Sequence, residues 1–201
     1  MNNRPEDSKI KFLETEYLRL KDSIDFVTPE QIELDLGCGN GSFTTALAQR
    51  YPTHLILAAD ILVGRLRKLV NRNRRETVDN IIALRVEARN LLSYMLHDGS
   101  INRLHILCPD PWPKGRHRSH RLLCSDFMKN IHRILATDGI FHFATDDDYY
   151  YETVCRLVEV SGLFTENIEQ YVDIADIKSD FEKRWIAEGK TVRHITWQRN
   201  S

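Results

Sequence analysis

Leu34-Asp35-Leu36-Gly37-Cys38-Gly39-Asn40-Gly41-Ser42 is the stretch that decides the fold. The run from Gln31 to Leu36 reads as a strand, three alternating glycines follow, and a helical pattern opens near Ser42. Such glycines permit a tight turn and a close approach of ligand to backbone at a helix N-terminus. Working outward, strand-sized apolar runs recur at His54 to Asp60, Asn80 to Glu87, Arg103 to Cys108 and Ile140 to Thr145. Helical patterns begin between them near Leu62, Arg89, Leu123 and Asp147. This alternation predicts an α/β fold with a mostly parallel central sheet covered by helices on both faces. Strands at Phe164 to Tyr171 and Val192 to Gln198, separated by a helix from Asp180 to Glu188, predict an antiparallel C-terminal edge hairpin.

The chain has 201 residues, 42% of them hydrophobic and 28% charged, enough for one substantial core. The expected organisation is an N-terminal arm over residues 1–28, helical from Glu14 to Ile24, followed by one domain over 29–201. No apolar run approaches the roughly 18 to 20 residues that span a bilayer, and Met1 to Glu6 lacks a signal peptide's apolar core. The expectation is a cytoplasmic protein without a membrane partner. Cys38, Cys108, Cys124 and Cys155 show no Cys-x-x-Cys spacing, so no metal site and no disulfide framework is expected. Oligomeric state is left open between monomer and homodimer. A formal net charge of -1 argues against indiscriminate coating of nucleic acid. The charge is nevertheless segregated: Arg65, Lys68, Arg72 and Arg75 share one helix face beside an apolar face of Leu62, Leu66 and Leu69, and a second basic run spans Lys114 to Arg121.

A dinucleotide fingerprint would place glycine where this chain has Ser42, so the loop favours another adenosine ligand over the cofactor of an oxidoreductase. Asp60 ends the second strand, where a carboxylate can accept from ribose hydroxyls, and Glu87 ends the third, where it or a nearby backbone group can read an adenine amino group. The structural alternative is a glycine turn with strand-end acids that cap helices. The loop and its acids resemble class I methyltransferases, which implies a Rossmann-like fold and S-adenosyl-L-methionine as cofactor.

Cys108-Pro109-Asp110-Pro111-Trp112-Pro113-Lys114 follows the strand ending near Cys108. Cys108, Asp110 and Trp112 each precede proline and are expected to be extended, which makes a stiff loop at a strand's carboxyl end, where open α/β sheets bind ligands. Pro109 to Lys114 with the basic continuation, Ala144-Thr145-Asp146, and Ser179-Asp180-Phe181-Glu182 with Gly189 beyond it resemble the bacterial tRNA (guanine-N7-)-methyltransferase family over roughly residues 32–199. The resemblance implies methyl transfer to N7 of a guanosine in tRNA, the variable-loop guanosine 46. It implies cofactor contacts at Asp35, Gly37, Gly39, Gly41, Asp60, Glu87 and Asp110, and substrate contacts at Lys114, Asp146, Ser179, Asp180, Phe181 and Glu182. The chain departs from the family at Asp35, Glu87 and Ser179, where Glu, Asp and Thr are usual.

Guanine N7 carries a free lone pair and needs no general base, so the reaction calls for in-line positioning and stabilisation of charge moving onto the purine. Asp110 is the candidate catalytic carboxylate; Asp146 or Glu182 can accept from guanine N1–H and N2–H. Arg116, His117, Arg118, His120 and Arg121 are expected to meet RNA phosphates. Ordinary roles compete: Ser179 and Glu182 form a capping-box pattern, Asp146 can cap the helix at Asp147, and Trp112 can be a hydrophobic plug. The alternative functions are methylation of another RNA guanine or a small molecule, and a nonenzymatic RNA-binding protein that keeps the fold.

Overall fold

The computed structural model describes residues 4–13, 31–110 and 122–201. The strands are β1 (Ile10–Phe12), β2 (Ile32–Leu36), β3 (Leu55–Asp60), β4 (Ile81–Arg85), β5 (Ile101–Leu107), β6 (Leu135–Thr145), β7 (Phe164–Glu166) and β8 (Arg193–Arg199). They form one sheet in the order β1-β4-β3-β2-β5-β6-β8-β7. β1 to β6 pair in parallel, while β8 runs antiparallel to both β6 and β7. This is the mostly parallel sheet with an antiparallel edge that the sequence predicts. The helices are α1 (Ser42–Arg50), α2 (Val63–Glu76), α3 (Ser125–Ile134), α4 (Asp148–Ser161) and α5 (Asp180–Ala187), with a helical segment at Ala88–Asn90 running into a π turn at Leu91–Met95.

Strand side chains alternate between faces. Leu34, Leu57, Leu104, Ile106, Phe141 and Phe143 point one way, into a core with Phe127 and Met128 of α3 and Tyr150 and Val154 of α4. On the other face Ile56 packs with Phe43 and Leu47 of α1, and Ala58 and Ala83 pack with Leu66 and Leu69 of α2. That second face also holds buried Glu33, Asp35, His105 and His142. Register aligns Asp35 with His105, His105 with His142, and His142 with Thr196 across four strands.

Several expectations need correction. Phe164 to Tyr171 is not one strand: pairing stops at Glu166 and Ile168–Ile174 forms a 3-10 helix. β7 is an edge strand, and leaving it lets Ile174 and Ile177 pack under the sheet against Phe43 and Leu47. Leu62 is 49% exposed rather than buried, because it precedes α2 and leaves the sheet contact to Leu66 and Leu69. Ile10 and Leu13, assigned to the arm, are buried in the sheet's cores beside β4. The helix expected from Glu14 to Ile24 lies outside the described residues, as do Trp112, Lys114, Arg116, His117, Arg118, His120 and Arg121.

Candidate active site

From β2 the chain winds outward to β3 and β4, then returns to the other side at β5. The carboxyl ends of β2 and β5 therefore diverge into a crevice, the ligand position of open α/β sheets. A cleft of about 610 Å³ occupies it, and Asp35, Gly37, Gly39, Asp60, Glu87, Asp110, Asp146, Ser179 and Phe181 all line it. These residues come from six separate stretches of chain, and the fold brings them to one cavity.

The glycine loop hangs from β3: the Gly37 and Cys38 N–H groups both donate to Ala59 O, at 2.8 and 3.0 Å. Gly37, Gly39 and Gly41 all have positive φ, which suits glycine. Their roles differ. A side chain at Gly37 would meet nothing within 4 Å, so its backbone is bare toward the cleft, whereas one at Gly41 would strike Leu69. Gly41 is not among the cleft-lining residues and is the packing glycine of the three.

The strand-end acids are structural and available at once. Asp60 Oδ2 accepts from Gly39 N–H at 3.1 Å and Oδ1 from Leu62 N–H at 2.7 Å, clamping the loop to β3. Arg65 Nη1 also reaches Oδ2, at 3.5 Å, so the acceptor site left over is the second one on Oδ1. Glu87 accepts from Asn90 N–H at 2.9 Å, capping the segment after β4, and still lines the cleft.

Burial pushes the Asp35 carboxyl from its ordinary 3.8 up to about 6, against a 2.6 Å hydrogen bond from Thr44 Oγ1. Keeping it ionised in the fold at neutral pH costs about 3 kcal/mol. For a raised carboxyl this cost is present above about pH 6 and vanishes as pH falls toward 4. Asp35→Asn is therefore expected to stabilise the protein by about 2–3 kcal/mol at neutral pH in urea unfolding, with no gain at about pH 4; a destabilised variant at neutral pH contradicts this.

Asp110 is exposed at the rim. Cys108 is not extended as expected from its proline: φ is 51°, in the left-handed region, while its N–H still donates to Ala144 O at 2.7 Å. The ladder holds Cys108 to β6 while the chain must leave β5 toward the cleft, and the backbone strain falls on this residue. Asp146 does not cap α4; Asp147 does, accepting from Tyr150 N–H at 2.7 Å, which leaves Asp146 on the cleft with Lys190 Nζ at 3.3 Å.

At α5, Ser179 Oγ accepts from Glu182 N–H at 3.1 Å, but the reciprocal half of the capping box is missing. Glu182 is buried and turns instead to His194 Nε2 and Lys178 Nζ, both at 2.9 Å. It is not a cleft-lining residue, and neither is Asp180. Asp180 Oδ2 accepts from Asn40 Nδ2 at 2.9 Å and Arg72 Nη2 at 2.8 Å, and its N–H donates to Ser42 Oγ, so it staples α5 to the glycine loop. Phe181 lies over Gly39, within 3.9 Å of where a Cβ would stand. Arg65, Asn40 and Trp185 also line the cleft and were not singled out as ligand contacts from sequence; only Asn40 carried a signal, its place between two loop glycines. A second groove of about 250 Å³, lined by Asn40, Lys68, Asn71, Arg72 and Arg75, adjoins through Asn40.

Bare loop backbone, a carboxylate clamp with an open acceptor site on Asp60 Oδ1 and a mixed polar and apolar cavity fit S-adenosylmethionine, and Gly37, Gly39, Asp60 and Glu87 are the cleft residues that could hold it.

Comparison with known proteins agrees with this architecture. The Methyltransf_4 model, describing methyltransferases, matches residues 29–195. A protein of Thermotoga maritima named tRNA (guanine-N(7)-)-methyltransferase is 30% identical over 80% of this chain, and the chain spans 51% of that relative's length. Proteins of the same name from Syntrophotalea carbinolica and Neisseria meningitidis are each 34% identical over 83% and 82% of the chain, which covers 73% and 68% of them. Among solved structures, the 16S rRNA methyltransferase KamB has a TM-score of 0.61 at 14% identity, over 86% of this chain and 89% of that one. An rRNA methylase from Streptococcus thermophilus has a TM-score of 0.58 at 17% identity, over 100% of this chain and 99% of that one. The structural neighbours share the fold; with the family match over 29–195 and relatives a third identical across four-fifths of its length, the chain belongs to the Methyltransf_4 family of methyltransferases.

Proposed function

We propose that this chain transfers a methyl group from S-adenosylmethionine to N7 of a guanosine in tRNA, the variable-loop guanosine 46. The carrying observation is the single cleft in which the glycine loop and Asp60 meet Asp110, Asp146, Ser179 and Phe181. The names of the relatives support the same acceptor. Bound S-adenosylmethionine supplies an electrophilic methyl on a sulfonium. The chain supplies the rest: the Gly37 to Asn40 backbone and Asp60 orient the donor, Asp110 faces the charge moving onto the purine, and Asp146 accepts from the guanine's Watson–Crick edge. Glu182, turned toward His194, is left out of that recognition.

RNA phosphates are met by the Lys114 to Arg121 run and by Lys68 and Arg75 of α2, both exposed beside the second groove. Arg72 contributes less, because it is paired with Asp180 and Glu76. Incubation with labelled S-adenosylmethionine and unmodified tRNA, followed by cleavage at N7-methylguanosine, is expected to map the product to the variable loop. Label on an exocyclic amine overturns the acceptor. Phosphate contacts by the six cations Lys68, Arg75, Lys114, Arg116, Arg118 and Arg121 predict that tRNA affinity falls roughly 300- to 2,000-fold between about 0.05 and 0.2 M salt; a flat dependence overturns the phosphate assignment.

A further inference from the structure

The sheet face behind the cleft holds a chain of five titratable side chains, four buried and the His194 ring nearly so, none of which lines the cleft. Glu33 Oε2 meets His105 Nε2 at 2.9 Å, His105 Nδ1 meets His142 Nδ1 at 3.0 Å, His142 Nε2 meets His194 Nδ1 at 3.1 Å, and His194 Nε2 meets Glu182 Oε1 at 2.9 Å. All six imidazole nitrogens are engaged. Each contact requires one hydrogen between its two atoms, since facing lone pairs in a buried site repel. A neutral imidazole carries one N–H and an ionised carboxylate none. Three neutral histidines therefore provide three hydrogens for four contacts.

Both carboxylates are ionised. Burial pushes Glu33 up, but hydrogen bonds from His105 and His54 outweigh it and hold the carboxyl at about 2. Burial likewise raises Glu182, and bonds from His194 and Lys178 hold it below the usual range. His142, between two imidazoles and fully buried, is kept neutral by burial first and by its neighbours' charge second. The missing hydrogen therefore belongs to an end imidazole, beside a carboxylate.

We infer that the chain Glu33–His105–His142–His194–Glu182 stores one proton beyond those of three neutral imidazoles, and that this proton fastens α5, with Ser179 and Phe181 on the cleft wall, to strands β2, β5, β6 and β8. Glu182 and His194 are then positioning residues for the donor cleft, a role that rests on the methyl-donor reading of that cleft. Other groups face the chain from every side. His54 Nδ1 lies 2.7 Å from Glu33 Oε1 and Arg103 Nε 3.7 Å from Oε2. Asp35 lies in register with His105 on β2. Lys178 contacts Glu182 and donates to Tyr171, whose ring stacks on His194. A proton bound only in the docked arrangement is released as pH rises, and its contribution to the docking is lost with it. Loss opens the His194–Glu182 contact, since His194 is the more accessible end, at 8% side-chain exposure against 0% for His105.

Nitrogen NMR of the full chain labelled at histidine, near neutral pH, counts the stored proton directly. One imidazolium among His105, His142 and His194 is expected in the wild type. Glu33→Gln donates its own N–H to His105 Nε2, and with each imidazole then donating onward toward Glu182, which accepts as before, three neutral imidazoles suffice and the expected count is zero. Calorimetry with S-adenosylhomocysteine reads the positioning: wild-type affinity is expected to weaken about tenfold at alkaline pH as one buried hydrogen bond is lost, whereas Glu33→Gln gives a flat profile. Three neutral histidines in the wild type, an imidazolium persisting in Glu33→Gln, or the wild-type pH slope in that variant overturns the inference. The wild-type count decides it even where the variant fails to fold. Absence of any S-adenosylhomocysteine binding sinks the donor reading of the cleft instead, and leaves the proton count standing.

Discussion

Gly41→Ala is expected to destabilise the protein by about 2–4 kcal/mol, lowering the melting temperature by roughly 5–15 °C. Two effects add. Gly41 has φ 78° and ψ 17° at the N-cap of α1, and a side chain there costs about 1 kcal/mol for backbone conformation alone. The added Cβ would also stand 2.3, 2.6 and 2.7 Å from Leu69 Cδ1, Cγ and Cβ. Rotating Leu69 relieves the first two clashes but not the third, because its Cβ is fixed to the helix backbone. Helix α2 must shift, and Leu66 and Leu69, both fully buried, must lose packing against Ala58 and Ala83. Overpacking of this kind costs about 1–3 kcal/mol. Gly37→Ala is the control, with open space around the new methyl: about 1 kcal/mol of conformational strain and weaker binding of S-adenosylhomocysteine. Urea unfolding of both variants measures the difference, and equal losses would contradict the division between a packing glycine and a ligand glycine.

Asp110→Asn is expected to reduce turnover about a hundredfold or more while changing S-adenosylhomocysteine affinity little. Asparagine preserves size and removes charge, so the variant isolates electrostatic stabilisation of the purine as it becomes cationic. Asp110 is suited to that work by its position. The Cys108 N–H anchors the preceding residue to β6, the left-handed turn there redirects the chain, and Pro109 stiffens the step that delivers Asp110 to the cleft. Single-turnover rates at saturating tRNA, paired with calorimetry, separate the alternatives. Unchanged turnover removes Asp110 from the chemistry, and a large loss of S-adenosylhomocysteine affinity reassigns it to holding the donor.

Much of the architecture was legible because it is written locally. Strands β2 to β6 are uninterrupted enough to be read from apolar runs, and Gly37 to Gly41 can be read as a turn from backbone freedom alone. Features set by more than one segment were misread. Phe164 to Tyr171 has strand composition throughout, yet only a partner strand decides where pairing ends, and Ile174 is worth more under the sheet than on an edge. Cys108 illustrates the same conflict: proline favours an extended residue, but a ladder bond to Ala144 and an exit toward the cleft demand a turn. Glu182 completes a capping-box pattern in sequence, while its carboxylate binds more strongly to His194 and Lys178 than to a backbone N–H.

By itself, the sequence determined the α/β class, the glycine turn and the strand-end acids, because each depends on the conformational preferences of contiguous residues. Tertiary structure alone decided which acids face the cleft, which glycine serves packing, and that Glu33, His105, His142, His194 and Glu182 join into one buried chain. The physical reason is register. A one-residue slip moves a side chain to the opposite face of the sheet, and the register of four strands, with the seating of α5 against them, is set by mutual packing rather than by any one of them.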